Sequence, residues 1–270
     1  MKTSYFFLLL LLAPVACYAQ SSELDFIRNQ DLSFLIAGDT YEVREYDGTW
    51  VQRDRPAPIG YIGDNYKRLH FRWLSIEKSD EDPLIYEVSG KTKVGGNICT
   101  FTGQLRITSA MQSASEEDPD ERIGTIFGTF YFKEKREERG TGEFRGQFWS
   151  HYWLPHGLDG PPIAAGGPDR SLYHDEILVY NSLETYSPGF GNNQFTGTWT
   201  SYRSGREKEV AWVDYRFSFP TDLDVGASEF VPSEDYLNQG WESYFDAWVF
   251  SDNDRVRAEA QRLEMEEWWK

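Results

Sequence analysis

The stretch LIYEVSGKTKV, Leu84 to Val94, is followed by Gly95-Gly96-Asn97 and then by ICTFTGQLRI, Ile98 to Ile107. Leu84, Tyr86, Val88 and Val94 fall on one side of the first run, and Glu87, Lys91 and Lys93 on the other. Successive side chains of a strand point to opposite faces, so a period of two marks a half-buried strand. Two such runs around a short glycine-rich break make a hairpin. In the second run Cys99 alternates with Phe101, Gly103, Leu105 and Ile107, which makes it a small buried hydrophobe.

The same pattern continues outward. RIGTIFGTFYFKEK (122–135) and GEFRGQFWSHYWL (142–154) form a second pair around the charged turn Arg136 to Gly140. LHFRWLSIEK, DEILVYN, NQFTGTWTSYR and VAWVDYRFSF supply four more strands. With the stretch around Trp50 the total is about nine, many joined by short polar turns. That pattern predicts an all-β domain over residues 20–231, first as an antiparallel barrel and second as a two-sheet sandwich. Gln52 to Tyr66, the acidic SASEEDPDE and the Gly/Pro-rich PHGLDGPPIAAGGPDRS read as connections. Residues 232–270 change character. Ser233 is placed to cap one short helix, and Asp252 or Asn253 a second. Arg255 with Glu259 and Arg262 with Glu266 stand one helical turn apart. Val256, Ala260 and Leu263 make a narrow apolar stripe, and Trp268 and Trp269 offer a means of docking on the β domain.

Lys2, the apolar run Tyr5 to Leu12 and the small residues around Cys17-Tyr18-Ala19 have the form of a secretory signal peptide over residues 1–19. Cleavage before Gln20 is the first reading. Lipid anchoring at Cys17, in PVAC, is the second. Either way the protein is exported, to the periplasm or beyond. No other stretch is long and apolar enough for a transmembrane helix. The net charge of −17 disfavours nucleic acid and anionic membrane surfaces as partners. Cys99, the one thiol left after cleavage, allows no internal disulfide.

Gly-Thr-Trp occurs twice, at Gly48–Trp50 and Gly197–Trp199. Gly103, Gly128 and Gly146 stand next to phenylalanines in the same manner. Glycines within strands let a curved sheet close, with aromatic rings packed over them. A Gly-x-Trp on an early strand also resembles the lipocalin, or broader calycin, signature. That resemblance implies a barrel that holds a ligand, with Trp50 closing one end and a late arginine, Arg216 or Arg203, packed across it. YEVSGKTKVGGNICTFTG, FTGTWTSY, WVDYRF, DLDVGASEF and YLNQGW, between Tyr86 and Trp241, are similar to a family of exported β-rich proteins of Bacteroidetes-type bacteria. That likeness implies export and β structure and no particular chemistry.

Candidate chemistry is sparse. His151, His156 and His174, with Asp175 and Glu176, are zinc-type side chains without a compact zinc spacing. Asp222, Asp224 and Glu229 read as a solvated acidic turn rather than a calcium loop. Asp175 with Glu176, or Asp214 with Glu229, are formal carboxylate pairs for glycan hydrolysis. No Gly-x-Ser-x-Gly elbow is present. No metal or cofactor is expected. One strand face stands out: Arg145, Gln147, Trp149, His151 and Trp153 alternate with the core-facing Phe144, Phe148, Tyr152 and Leu154. Aromatic residues opposite a core fill a barrel, pack under the C-terminal helices or line a ligand groove. The functional expectation is a non-enzymatic binding protein of the cell envelope. It would hold a small apolar or amphipathic ligand against Trp149 and Trp153, with Arg145 or His151 for polarity. A glycan hydrolase and a pocketless assembly or adhesion component are the alternatives.

Overall fold

The computed structural model describes residues 23–45, 47, 49–114, 122–154, 178–182 and 187–270. The predicted signal peptide with Cys17, Gly48, and His156, His174, Asp175 and Glu176 lie outside these residues. Two short helices come first, α1 (23–29) and α2 (Ser33–Ala37). A separate antiparallel hairpin follows, β1 (Thr40–Arg44) with β2 (Trp50–Asp54).

The main sheet is built in chain order from β3 (Ile59–Ile62), β4 (Lys67–Lys78), β5 (Ile85–Val94), β6 (Asn97–Ala114), β7 (Arg122–Glu134) and β8 (Gly142–Leu154). It continues with β9 (Val179–Tyr180), β10 (Asn192–Ser201) and β11 (Glu207–Asp214). Every pairing is antiparallel. β10 pairs with β8 and β11 pairs back to β3, so eight strands form a closed ring. The two-residue β9 adds to the end of β8 beside that seam. Closure leaves no long free edge, which decides for the barrel over the sandwich.

The predicted strands β5 to β8 and β10 stand close to where the alternation places them. Two differences matter. The connection Gln52 to Tyr66 takes in the end of β2 and the whole of β3, and all four residues of β3 are buried, so no alternation marks it. The run VAWVDYRFSF ends as a strand at Asp214, where Tyr215 turns the chain with φ 72°.

Aromatic rings fill the barrel. Phe71, Trp212, Phe195 and Phe148 form a continuous stack with successive ring centres 4.4, 4.9 and 5.0 Å apart. Room for these rings comes from glycines. A Cβ on Gly103 would stand 2.8 Å from the Phe132 ring, on Gly128 2.4 Å from Phe148, and on Gly146 2.7 Å from Phe130. The sequence expectation of glycines under aromatics therefore holds, and the rings pack closely through the interior.

The N-terminal helices close one end of the barrel with Ile27, Leu32, Leu35 and Ile36. From Tyr215 onward the chain wraps the outside of β3 and β11, where Phe217, Leu223, Phe230 and Trp241 bury against Ile59, Tyr61, Ala211 and Val213. A 3-10 helix over Glu234–Gln239, capped by Ser233, leads to α3 (Glu242–Tyr244), a π-helical turn (Phe245–Val249) and α4 (Asp254–Glu264). Asn253 caps α4, accepting from the N–H groups of Arg255 and Val256. Arg262 pairs with Glu259 at 2.7 Å rather than with Glu266. Only Ala260 of the expected apolar stripe is buried, whereas Val256 and Leu263 face outward. No helix among the described residues is long and apolar enough to cross a membrane.

Candidate functional site

β3 is the shortest strand of the ring, and it shares only two register pairs with β4, Tyr61 with Arg68 and Ile62 with Lys67. Pro56 and Pro58, just before it, carry no N–H to extend the ladder. The wall is therefore open between β4 and the end of β11, and a cleft of about 1000 Å³ occupies the gap. Its inner side is formed by Phe71, Trp73, Phe195 and Trp212, and its flanks by Gly38, Asp39 and residues 54–59. The outer side is the C-terminal arm, through Tyr244, Trp248, Met265, Trp268 and Trp269.

The polar groups of the cleft are held in place by the fold. Arg72 on β4 pairs with Asp39 at 2.8 Å and lies 4.5 Å from the centre of the Trp269 ring. Arg55 donates to the carbonyls of Phe34, Leu35 and Ile36, so it satisfies the end of α2. Asp214 is buried, and its Oδ2 accepts from Asn193 at 2.8 Å and Tyr180 at 3.2 Å. Burial pushes its carboxyl up to about 6, against the opposing pull of Arg55 and these hydrogen bonds. Asn193 also donates to the Leu35 carbonyl at 3.0 Å, so this network ties the barrel end to its helical plug. Burial, with Arg68 and Lys93 nearby, lowers His70 to about 3.

The strand face singled out from the sequence lies on the outside of the barrel. Arg145 and Gln147 are exposed there, and Trp149 and His151 are partly covered. Arg145 pairs with Glu143 at 2.6 Å, and His151 Nδ1 shares a hydrogen bond of 2.7 Å with Thr125. Trp153 is 0% exposed, because Trp50 stacks on it at 5.2 Å and Arg44 lies over both rings. The cover over this face is thus the β1–β2 hairpin and not the C-terminal helices, which lie over β3, β4 and β11. None of the five lines the cleft.

The two tryptophans of the Gly-Thr-Trp repeats do different work. Trp50 covers the outside of β8 and closes no end of the barrel, and the guanidinium over it belongs to Arg44. Arg216 is held by Asp224 at 2.6 Å and by the Gly226 carbonyl, while Arg203 is exposed. Gly197 stands directly opposite Gly146 across the β8–β10 seam. Trp199 points inward at the far end and donates its indole N–H to the buried Glu134 at 3.0 Å. Glu134 also accepts from Thr92 and from the N–H of Gly142. Burial pushes this carboxyl upward.

Asp224 is no solvated turn residue. Besides Arg216, it accepts the N–H groups of Gly226 and Val231. Asp214 and Glu229 both border the cleft, but Asp214 is buried and its Oδ2 accepts from two donors of the barrel-end network. Cys99 is buried and its thiol is pushed up to about 12 by burial and by Glu134, which leaves no thiolate near neutral pH. Among the described residues, no three His, Cys, Asp or Glu side chains gather as a metal site. Sequence reasoning missed the cleft. Its one local signal is the pair of prolines before β3.

No family model, curated protein or solved structure matches the chain. An eight-stranded antiparallel barrel with an aromatic cleft in its wall is the class that the geometry defines.

Proposed function

We propose that this is an exported binding protein of the cell envelope that holds a small apolar or amphipathic ligand without transforming it. The observation that carries this reading is the wall cleft of about 1000 Å³ with its aromatic inner side. Ligand sites are commonly concave, about 300–1,000 Å³, mostly apolar, and oriented by a few polar groups. Here Phe71 and Trp73 would face the apolar body of the ligand, and Arg72 at the rim would meet its polar end. The site thus moves from the outer face of β8 to the opening beside β4. The hydrolase alternative has less support, because the carboxylate pair Asp214 and Glu229 includes a buried member serving a structural network.

Native mass spectrometry of the protein purified from its own envelope tests the reading. The expected result is a stoichiometric added mass that is lost in Arg72→Ala and kept in Trp149→Ala. A bare polypeptide under gentle conditions overturns it. Loss in Trp149→Ala alone would return the site to the outside of β8. The same spectrum reads the N-terminus, as Gln20 or as an acylated Cys17.

A further inference from the structure

The outer face of β4 and β5 carries four cations around a neutral His70. Arg68, His70 and Arg72 alternate along β4, with Lys93 opposite His70 and Lys91 opposite Arg72. On a chain of net charge −17 this strip is unusual, and the C-terminal arm lies across it. α4 buries little apolar surface of its own, and Trp268 and Trp269 are only partly buried. Ala260 is the buried residue of α4, while Val256, Leu263 and Met265 are 43%, 45% and 72% exposed.

A few specific anchors hold the arm instead. Arg68 and Glu264 form a bidentate pair at 2.7 and 2.5 Å, with both side chains 8% exposed. Ser243 donates to the same carboxylate. Lys91 donates to the Trp269 carbonyl at 2.5 Å, Trp268 packs edge-on to His70, and Arg72 covers Trp269. Behind the arm, residues 250–253 include extended backbone at Phe250 and Asn253, and Trp241 is pinned independently to the Tyr66 carbonyl at 2.8 Å.

We propose that Asn253–Lys270 is a latch on the wall cleft, opening as a unit about residues 250–253 while the barrel stays folded. The physical basis is the nature of its main anchor. A buried ion pair gains Coulomb energy but gives up the hydration of both ions, so its closed and hydrated states lie close in free energy. An arm held by such a pair, two half-covered tryptophans and a helix with one buried alanine belongs to the low-stability end of the molecule. Opening would remove Glu264, Met265, Trp268 and Trp269 from the outer side of the cleft and uncover Arg72. The purpose of this gate rests on the reading of the cleft as a binding site, but its motion does not.

Hydrogen exchange on the full chain tests the latch, with Glu264→Gln as the main variant. That change leaves Arg68 without its counter-charge. Amides of 254–270 should exchange on the order of ten-fold faster, with β6 to β8 unchanged. Fluorescence of 8-anilinonaphthalene-1-sulfonate, the probe for the opened cleft, should rise in the same variant. Trp269→Ala, which leaves no buried charge unpaired, should give a smaller effect confined to the same segment and carries the test if Glu264→Gln does not fold. Unchanged exchange in the tail, or an equal rise throughout the barrel, overturns the latch. A bare mass in the native spectrum with a tail-confined rise removes the ligand and keeps the moving arm. A bound mass with a uniform rise does the reverse.

Discussion

Gly197 and Gly146 show how much the barrel depends on single residues. They face each other where β8 and β10 close the ring, and a Cβ on Gly197 would stand 2.1 Å from the Arg145 carbonyl oxygen. Backbone atoms cannot yield as a side-chain tip can. Gly197→Ala should therefore lower stability by about 3 kcal/mol or more in urea unfolding. Gly96→Ala, which meets nothing within 4 Å, should stay within about 0.5 kcal/mol of the parent. Asp214 makes a different prediction. Its carboxyl titrates at about 6 when folded, against an ordinary value of 3.8. Between those values the folded chain holds more protons than the unfolded one, so this group makes stability fall as pH rises from about 4 to about 6. Asp214→Asn keeps an oxygen for Asn193 and Tyr180 and removes the titration. The stability difference, variant minus parent, should climb by on the order of 2–3 kcal/mol across that interval in urea titrations. A constant difference would show that Asp214 is not the source.

Among the elements, β10 and the β1–β2 hairpin show why one motif can serve two ends. Trp199 is among the donors to Glu134, so Trp199→Phe should cost about 1–3 kcal/mol and raise the Glu134 carboxyl further, read by denaturation and by carboxyl carbon NMR. Strands with one face on the core were legible in the sequence because their alternation records that difference. β8 was legible over its whole length for this reason, and the placing of Trp149, His151 and Trp153 on the face opposite Phe144 and Phe148 with it, though whether that face filled the barrel or lay outside was left open. β3 was not, because a strand buried on both faces has no alternation to read. The cover over Trp153 was not legible either. It depends on Trp50 arriving from a hairpin about 100 residues away in the chain, which no local pattern encodes. The cleft combines both difficulties: it exists because β3 is short, and its outer side is an arm whose main anchor is an ion pair rather than an apolar stripe.

For the molecule as a whole, the buried titrations of His70 and Asp214 oppose each other, and Glu134 acts with Asp214. His70 takes its proton only near pH 3 when folded, against 6.5 unfolded, so its contribution to stability grows as pH rises through that interval. Asp214 acts in the opposite sense between about 4 and 6. The stability profile of the parent should thus be flatter there than that of Asp214→Asn, which rises with pH, or of His70→Gln, which falls. The closing of the ring has a consequence for synthesis. β3 pairs with β4 early, but its other edge waits for β11, whose Glu209 meets Tyr61 across 148 residues of chain. Contacts of such long separation form late and slowly, because the loop between them must first be ordered. A growing chain therefore carries β3 with one edge unpaired until residue 213 has emerged, and it is open to pairing with other chains throughout that interval. A circular permutant that joins β11 directly to β3 would remove the wait.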